Sequence, residues 1–186
     1  VLSILSACPK KCISMDEDNE GFKYPFVNMD LCVNCGLCEK VCPIINTQTN
    51  GKNIPDTAYV VRNNDPEIVK KSTSGGAVTA FCEEILSQNG IIFGGAFDKD
   101  FNVCHSSAET VQELSKFRSS KYVQSDLGNT FSEVKKSLDS GRIVMFSGTP
   151  CQVEGLKNFL RKPYDNLFTV DFVCRAVPSP YVWKKY

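Results

Sequence analysis

Six of the chain's ten cysteines fall before residue 43, and four of them stand in the run Cys32-Val33-Asn34-Cys35-Gly36-Leu37-Cys38-Glu39-Lys40-Val41-Cys42-Pro43. The spacing C-x2-C-x2-C-x3-C-P lets three thiolates wrap one cubic iron–sulfur cluster from a single tight turn. The fourth, stiffened by Pro43, points away and in two-cluster proteins serves a neighbouring cluster. Chemistry of this kind carries electrons. Cys8-Pro9 has the form of another such fourth cysteine, so Cys8 is expected to complete the cluster of Cys32, Cys35 and Cys38. Cys42 would then reach across to a second cluster, whose other ligands should lie before Cys8. The residue four back is Ile4, and no cysteine precedes Cys8. Cys12 either substitutes in that damaged site or is a small residue beside the following hairpin.

Two other chemistries use closely spaced cysteines. A zinc knuckle wants two separated C-x2-C pairs and gains nothing from the x3-C-P ending, and disulfides are rare in a reducing cytoplasm. Ten cysteines beside a single histidine favour thiolate-bound iron over zinc or histidine catalysis. The cluster reading is therefore the expected one, in a cytoplasmic protein.

Composition narrows the remaining classes. With 186 residues, 42% of them hydrophobic, and 21 basic residues against 21 acidic ones, the chain can bury one good core beside a small cysteine-held module. It has no basic stripe with interleaved aromatics and no apolar run of membrane-spanning length, so neither nucleic acid nor membrane insertion is expected. Leu5-Ser6-Ala7-Cys8 imitates a lipoprotein cleavage site but lacks a basic region before it. Without an initiating Met, and stopping at Trp183-Lys184-Lys185-Tyr186, the chain reads as a fragment of a longer one.

These groups need elements to hold them. A polar hairpin is expected from Ile13 to Val27, and Asp16–Gly21 is read as a solvated turn, since position twelve of a calcium loop would be Val27. Polar, turn-rich residues 47–56 make a linker. Beyond it, strands are expected at Ala58–Arg62, Ile91–Phe97, Asn102–His105, Arg142–Phe146 and Leu167–Val173. Helices are expected at Gly76–Gln88, Glu109–Phe117, Leu127–Asp139 and Gln152–Leu160. The fold class is thus an α+β ferredoxin-like cluster-binding module followed by an α/β domain with a mainly parallel sheet. The expected divisions are 1–50, a 4Fe-4S ferredoxin-type domain; 56–140, an α/β domain; and 141–186, the truncated start of a further domain.

Three segments of the α/β part have ligand-binding character. Ser72-Thr73-Ser74-Gly75-Gly76-Ala77-Val78-Thr79 opens into an apolar helix, where free N–H groups suit an anion such as a cofactor phosphate, although a serine-rich helix cap is common in such folds. Arg118–Ser125 is basic and hydroxyl-rich; it either grips phosphate or ribose or is a solvated loop. Ser147-Gly148-Thr149-Pro150-Cys151-Gln152 and Val170-Asp171-Phe172-Val173-Cys174 each follow a strand's carboxyl end. If those strands are parallel neighbours, Cys151 and Cys174 share the sheet edge where open α/β folds bind ligands. Cys151 falls in a first helical turn, where the dipole stabilises negative charge, so it is either a metal ligand or redox thiol, or a packing residue. Cys82, Cys104 and His105 have no partners at metal spacing and are read as packing or satisfied residues.

These segments in this order, namely C-P, C-x2-C-x2-C-x3-C-P, Ser72–Thr79, Phe117–Gly128, Ser147–Leu156 and Asp171–Pro180, resemble the coenzyme F420 hydrogenase/dehydrogenase beta-subunit family with an N-terminal ferredoxin-type domain. The resemblance implies an oxidoreductase subunit passing electrons between 4Fe-4S clusters and FAD, and in some members on to coenzyme F420. It implies that residues 56–140 bind the flavin, with Ser74, Gly75, Gly76, Thr79, Lys121, Tyr122, Gly148 and Thr149 facing it. It also makes Cys151 and Cys174 candidate ligands of a further cluster. The implied partners are a redox protein or subunit and a soluble electron acceptor. The chain departs from the pattern in keeping only Cys8-Pro9 of the first motif, and in carrying Cys174-Arg175-Ala176 where relatives often have Cys-His-Gly. The rival reading is a non-enzymatic electron shuttle or metal-stabilised interaction module. No catalytic residue is assigned.

Overall fold

The computed structural model describes residues 2–46 and 57–186; the linker expected at 47–56 lies outside them. The amino-terminal part opens with a helix that was not anticipated, α1 (Leu2–Ala7), followed by strands β1 (Ile13–Glu17) and β2 (Lys23–Val27) and helix α2 (Leu37–Val41). β1 and β2 pair antiparallel from Ile13↔Val27 to Glu17↔Lys23, as expected of the hairpin. Its turn is tied by the Asp18 carboxylate, which accepts the N–H groups of Glu20 and Phe22, both at 2.9 Å. A polar side chain folded back on its own backbone replaces ladder bonds there.

The second part contains α3 (Pro66–Lys70), α4 (Ala77–Ser87), β3 (Ile91–Phe97), β4 (Val103–Ala108), a 3₁₀ turn at Gln112–Phe117, α5 (Thr130–Asp139), β5 (Val144–Gly148), α6 (Pro150–Leu160), β6 (Leu167–Asp171) and α7 (Pro180–Lys185). Its sheet has the order β4-β3-β5-β6. The pairs β3/β5 and β5/β6 are parallel and β3/β4 is antiparallel, so the sheet is mixed though mostly parallel. The exception has a simple cause: the link between β3 and β4 is too short for a crossover, which takes a dozen residues or more. Asp98 closes that link, accepting the N–H groups of Asp100 and Asn102 at 2.8 Å.

Alternation along β3 and β5 sends side chains to two cores. Ile91, Phe93, Val144 and Phe146 meet Phe131, Val134 and Leu138 of α5 and Val153, Leu156 and Leu160 of α6. Ile92 and Met145 meet Cys82 and Ile85 of α4 together with Leu114. Helices therefore cover both faces.

The expected strand at Ala58–Arg62 does not form. Tyr59, Val60 and Val61 are exposed, and the chain runs beside the 72–76 loop, where the Asn63 N–H donates to the Gly75 carbonyl at 2.7 Å. Its apolar run imitates a strand, but the segment pairs with neither edge strand, β4 or β6. The helix expected at Glu109–Phe117 is a short 3₁₀ segment instead. No helix among the described residues is long and apolar enough to cross a membrane.

Candidate metal centre and cofactor edge

Gly36 sets the shape of the cysteine turn: it takes φ 66°, a left-handed conformation that costs glycine little, and starts α2 directly after Cys35. The turn, with the Cys8–Cys12 segment and β2, bounds a cavity of about 320 Å³ lined by Cys8, Cys12, Cys32, Cys35 and Cys38, with Val27, Met29 and Val33 among its apolar walls. Four of these cysteines are the expected cluster set. Cys12 joins them with its Sγ 3.4 Å from that of Cys8.

Burial opposes ionisation of Cys8, but the backbone N–H and thiol of Cys12, with the N–H groups of Lys10 and Lys11, outweigh it and hold the Cys8 thiol below its ordinary value. Cys12 is pushed up to about 11, first by its contact with Cys8, then by burial and the charges of Cys8 and Cys32. Cys8 is thus the sulfur prepared as a thiolate ligand, and N–H groups aimed at such a sulfur are a means of tuning a cluster's potential.

Among the described residues, no three His, Cys, Asp or Glu side chains gather closely enough to hold a single metal ion. Zinc would draw its sulfurs to roughly 2.3 Å from one point, whereas a cubic cluster gives each thiolate its own iron and spaces the ligands apart. The donor set around the cavity fits one such cluster. Cys42 is not in the lining; it is 8% exposed and packed with Ile4, Ile13 and Val41, so the surroundings of this thiol do not fit a second.

The other predicted residues lie at the start of α4, in the 118–122 loop and at the start of α6. At α4, Gly76 is the cap residue with φ 73°, and no side chain caps the helix. A Cβ on Gly75 would run into the Val61 carbonyl oxygen, so only glycine permits that close approach. Ser74 is exposed and Thr79 is buried. At α6, Thr149 and Gln152 form a capping box and Pro150 occupies the first turn, so the helix satisfies its own donors.

Gly148 pairs with Asp171 in the parallel β5/β6 ladder, which puts the segments bearing Cys151 and Cys174 beyond the same edge. Both cysteines are exposed, and Cys151 Sγ lies 3.1 Å from Thr149 Oγ1. Lys121 lies over the Phe97 ring at 5.5 Å, donates to the carbonyls of Arg118 and Ser119, and is lowered by burial, while Tyr122 is exposed.

His105, which sequence reasoning set aside, ties this edge together. Its Nε2 lies 3.0 Å from the Ser147 carbonyl, which can only accept, so Nε2 carries the proton. Nδ1 then accepts from the Ser125 hydroxyl at 2.9 Å, Ser125 Oγ accepts from Gln152 Nε2 at 2.8 Å, and Gln152 Oε1 accepts the Thr149 N–H at 2.9 Å. The ring stacks on Phe146 at 5.2 Å. Burial pulls its pKa down to about 4, against the Ser147 carbonyl, which favours the protonated form. A neutral histidine thus fixes the Ser147–Thr149 turn. A lone histidine gives no sequence signal for this role, because its partners lie on other elements. Cys82 packs as expected, its Sγ 4.0 Å from Met145 Sδ and its thiol pushed up to about 11 by burial and by Glu83.

Several contacts join the parts, the Lys23–Asp126 ion pair among them. Ser3 of α1 lies against Gly155 of α6, 3.8 Å from where a Cβ on that glycine would stand. The hairpin turn meets α7, where the Ser179 hydroxyl and the Tyr181 N–H donate to the Glu20 carbonyl at 2.7 and 3.2 Å.

Comparison with known proteins finds matches along both parts. Residues 5–45 match the 4Fe-4S dicluster domain, 58–131 the N-terminal part of the coenzyme F420 hydrogenase/dehydrogenase beta subunit, and 141–186 its C-terminal part. A 7Fe ferredoxin of Hydrogenibacillus schlegelii is 38% identical over 42 residues, covering 23% of this chain and 47% of that protein. A solved structure of the F420-reducing [NiFe] hydrogenase complex from Methanosarcina barkeri matches with a TM-score of 0.41 and 28% identity, over 52% of this chain and 35% of that one. The matches thus span about half of the ferredoxin and a third of the hydrogenase chain. With a cluster module followed by both parts of the beta subunit in order, the chain belongs to the coenzyme F420 hydrogenase/dehydrogenase beta-subunit family.

Proposed function

We propose that this chain is the electron-transfer part of an iron–sulfur flavoprotein oxidoreductase, with Cys8, Cys32, Cys35 and Cys38 holding a 4Fe-4S cluster and the carboxyl edge of the sheet holding FAD. The observation that carries the reading is the cavity lined by those four thiols beside a domain of this family. The cluster supplies one-electron transfer and the flavin the conversion between one and two electrons.

The chain's own part is to bind and orient. The uncapped start of α4 leaves N–H groups free for a phosphate of FAD, with Ser74, Gly75, Gly76 and Thr79 around it. Lys121 and Tyr122 flank the cofactor, and His105 holds the turn of Gly148 and Thr149 against it. Cys151 and Cys174, beyond the same edge, are assigned to a further redox centre near the flavin. The two-electron acceptor is coenzyme F420 or another soluble carrier, and the electron donor is a partner subunit.

Anaerobic reconstitution of the full-length protein tests this. Iron, sulfide and FAD should copurify, and bound FAD should bleach when the cluster is reduced. Iron and sulfide without flavin would make the chain a shuttle, and a colourless protein with all its cysteines reduced would remove the reading.

A further inference from the structure

We infer that the module holds one 4Fe-4S cluster rather than two, and that the place of the second has become part of the module's apolar core. This rests on the cluster reading above. If Cys42 ligated a second cluster, its partners would stand four, seven and ten residues before Cys8. Positions 4 and 1 are Ile4 and Val1. Two of the three partner thiolates are therefore excluded by the residues themselves, however far the polypeptide extends before Val1.

The structure shows what took their place. α1 runs through this stretch, and its Ile4, 7% exposed, packs with Cys42, Val41, Ile13 and Cys12, with Leu5 and Ala7 against the same group. The Ser3 hydroxyl donates to the Val41 carbonyl at 3.2 Å, binding α1 to α2. The same serine faces Gly155, so α1 lies between the cysteine turn and α6. Cys42, 8% exposed, packs in this group with no set of partner thiolates at the required spacing before Cys8. Cys42 therefore acts as a core residue, and electrons pass through the single cavity of Cys8, Cys32, Cys35 and Cys38.

The test uses the reconstituted full-length protein and its Cys42→Ala, Cys42→Val and Cys38→Ala variants, read by iron and sulfide per chain, by spin integration after reduction and by redox titration. The wild type should hold the same iron and sulfide per chain as Cys42→Val, with cluster signals of equal potential and equal spin count. Cys42→Val, which preserves the packing, should match it in all three, whatever stability Cys42→Ala loses. Cys38→Ala should lose about four irons per chain relative to the wild type. A lower iron content, a lost spin signal or a lost redox wave in Cys42→Val overturns the inference while leaving the cluster reading intact. A wild-type chain without iron overturns both.

Discussion

Around residues 2–46 the buried apolar group is Ile4, Cys12, Ile13, Val41 and Cys42, with a sulfur-lined cavity beside it. The sheet domain instead buries Phe93, Phe131, Phe146, Leu156 and their neighbours on one face, and Ile92, Met145 and Ile85 on the other. A region of about 45 residues with so small a core falls short of stability by burial alone and needs a metal or another staple. The sheet domain does not. The comparison teaches that the redox centre of the first region is also its core, whereas the cofactor edge proposed for the second is an addition to a core that stands without it.

The largest expected effect tests that division directly. Removing iron by chelation should strip hydrogen-exchange protection from residues 2–46 while β3 and β5 keep theirs, because metal binding free energy is folding free energy in such modules. Joint loss in both regions would break the comparison. Next, Phe131→Ala removes a ring that packs edge-on against Phe146 and tilted against Phe159. It should cost the sheet domain about 3–5 kcal/mol in denaturant unfolding and leave iron content unchanged.

A pH series sharpens the comparison further. His105 stays neutral in the fold to about pH 4 but takes a proton near 6.5 when unfolded. The unfolded state therefore binds more protons between those values, so the stability this histidine contributes is present above 6.5, is lost as pH falls, and levels off below 4. The full span is about 3 kcal/mol and should vanish in His105→Gln, the signal arising in the sheet domain. The smallest effect belongs to the join. Lys23 and Asp126 pair at 2.9 Å with half-exposed side chains. Lys23→Ala should change stability by less than about 1 kcal/mol, and less still in high salt.

Legibility differed by the kind of signal. The cysteine turn could be read because all its ligands but Cys8 lie within seven residues and the spacing itself encodes the wrap. β3 was read residue for residue, and α4 and α6 to within two residues, because apolar periodicity reports burial directly. Residues 58–62 misled for the same reason: a short apolar run does not say whether the segment reaches the sheet, and here Tyr59, Val60 and Val61 are exposed. β4 was expected as a short strand, but its antiparallel pairing depends on the length of the 98–102 turn, which periodicity does not weigh.

The amino-acid sequence by itself determined the chemistry: thiolates at fixed local spacing, glycines where α4 begins, a proline and a capping pair where α6 begins. Each is a short-range pattern in which bond geometry leaves few alternatives. Tertiary structure alone decided which thiols share a space, bringing Cys12 into the cavity and burying Cys42 beside Ile4. It also joined His105, Ser125 and Gln152 from three separate segments into one hydrogen-bonded chain. Contacts between residues 20 to 47 positions apart are set by how the layers pack, and that is where the local pattern falls silent.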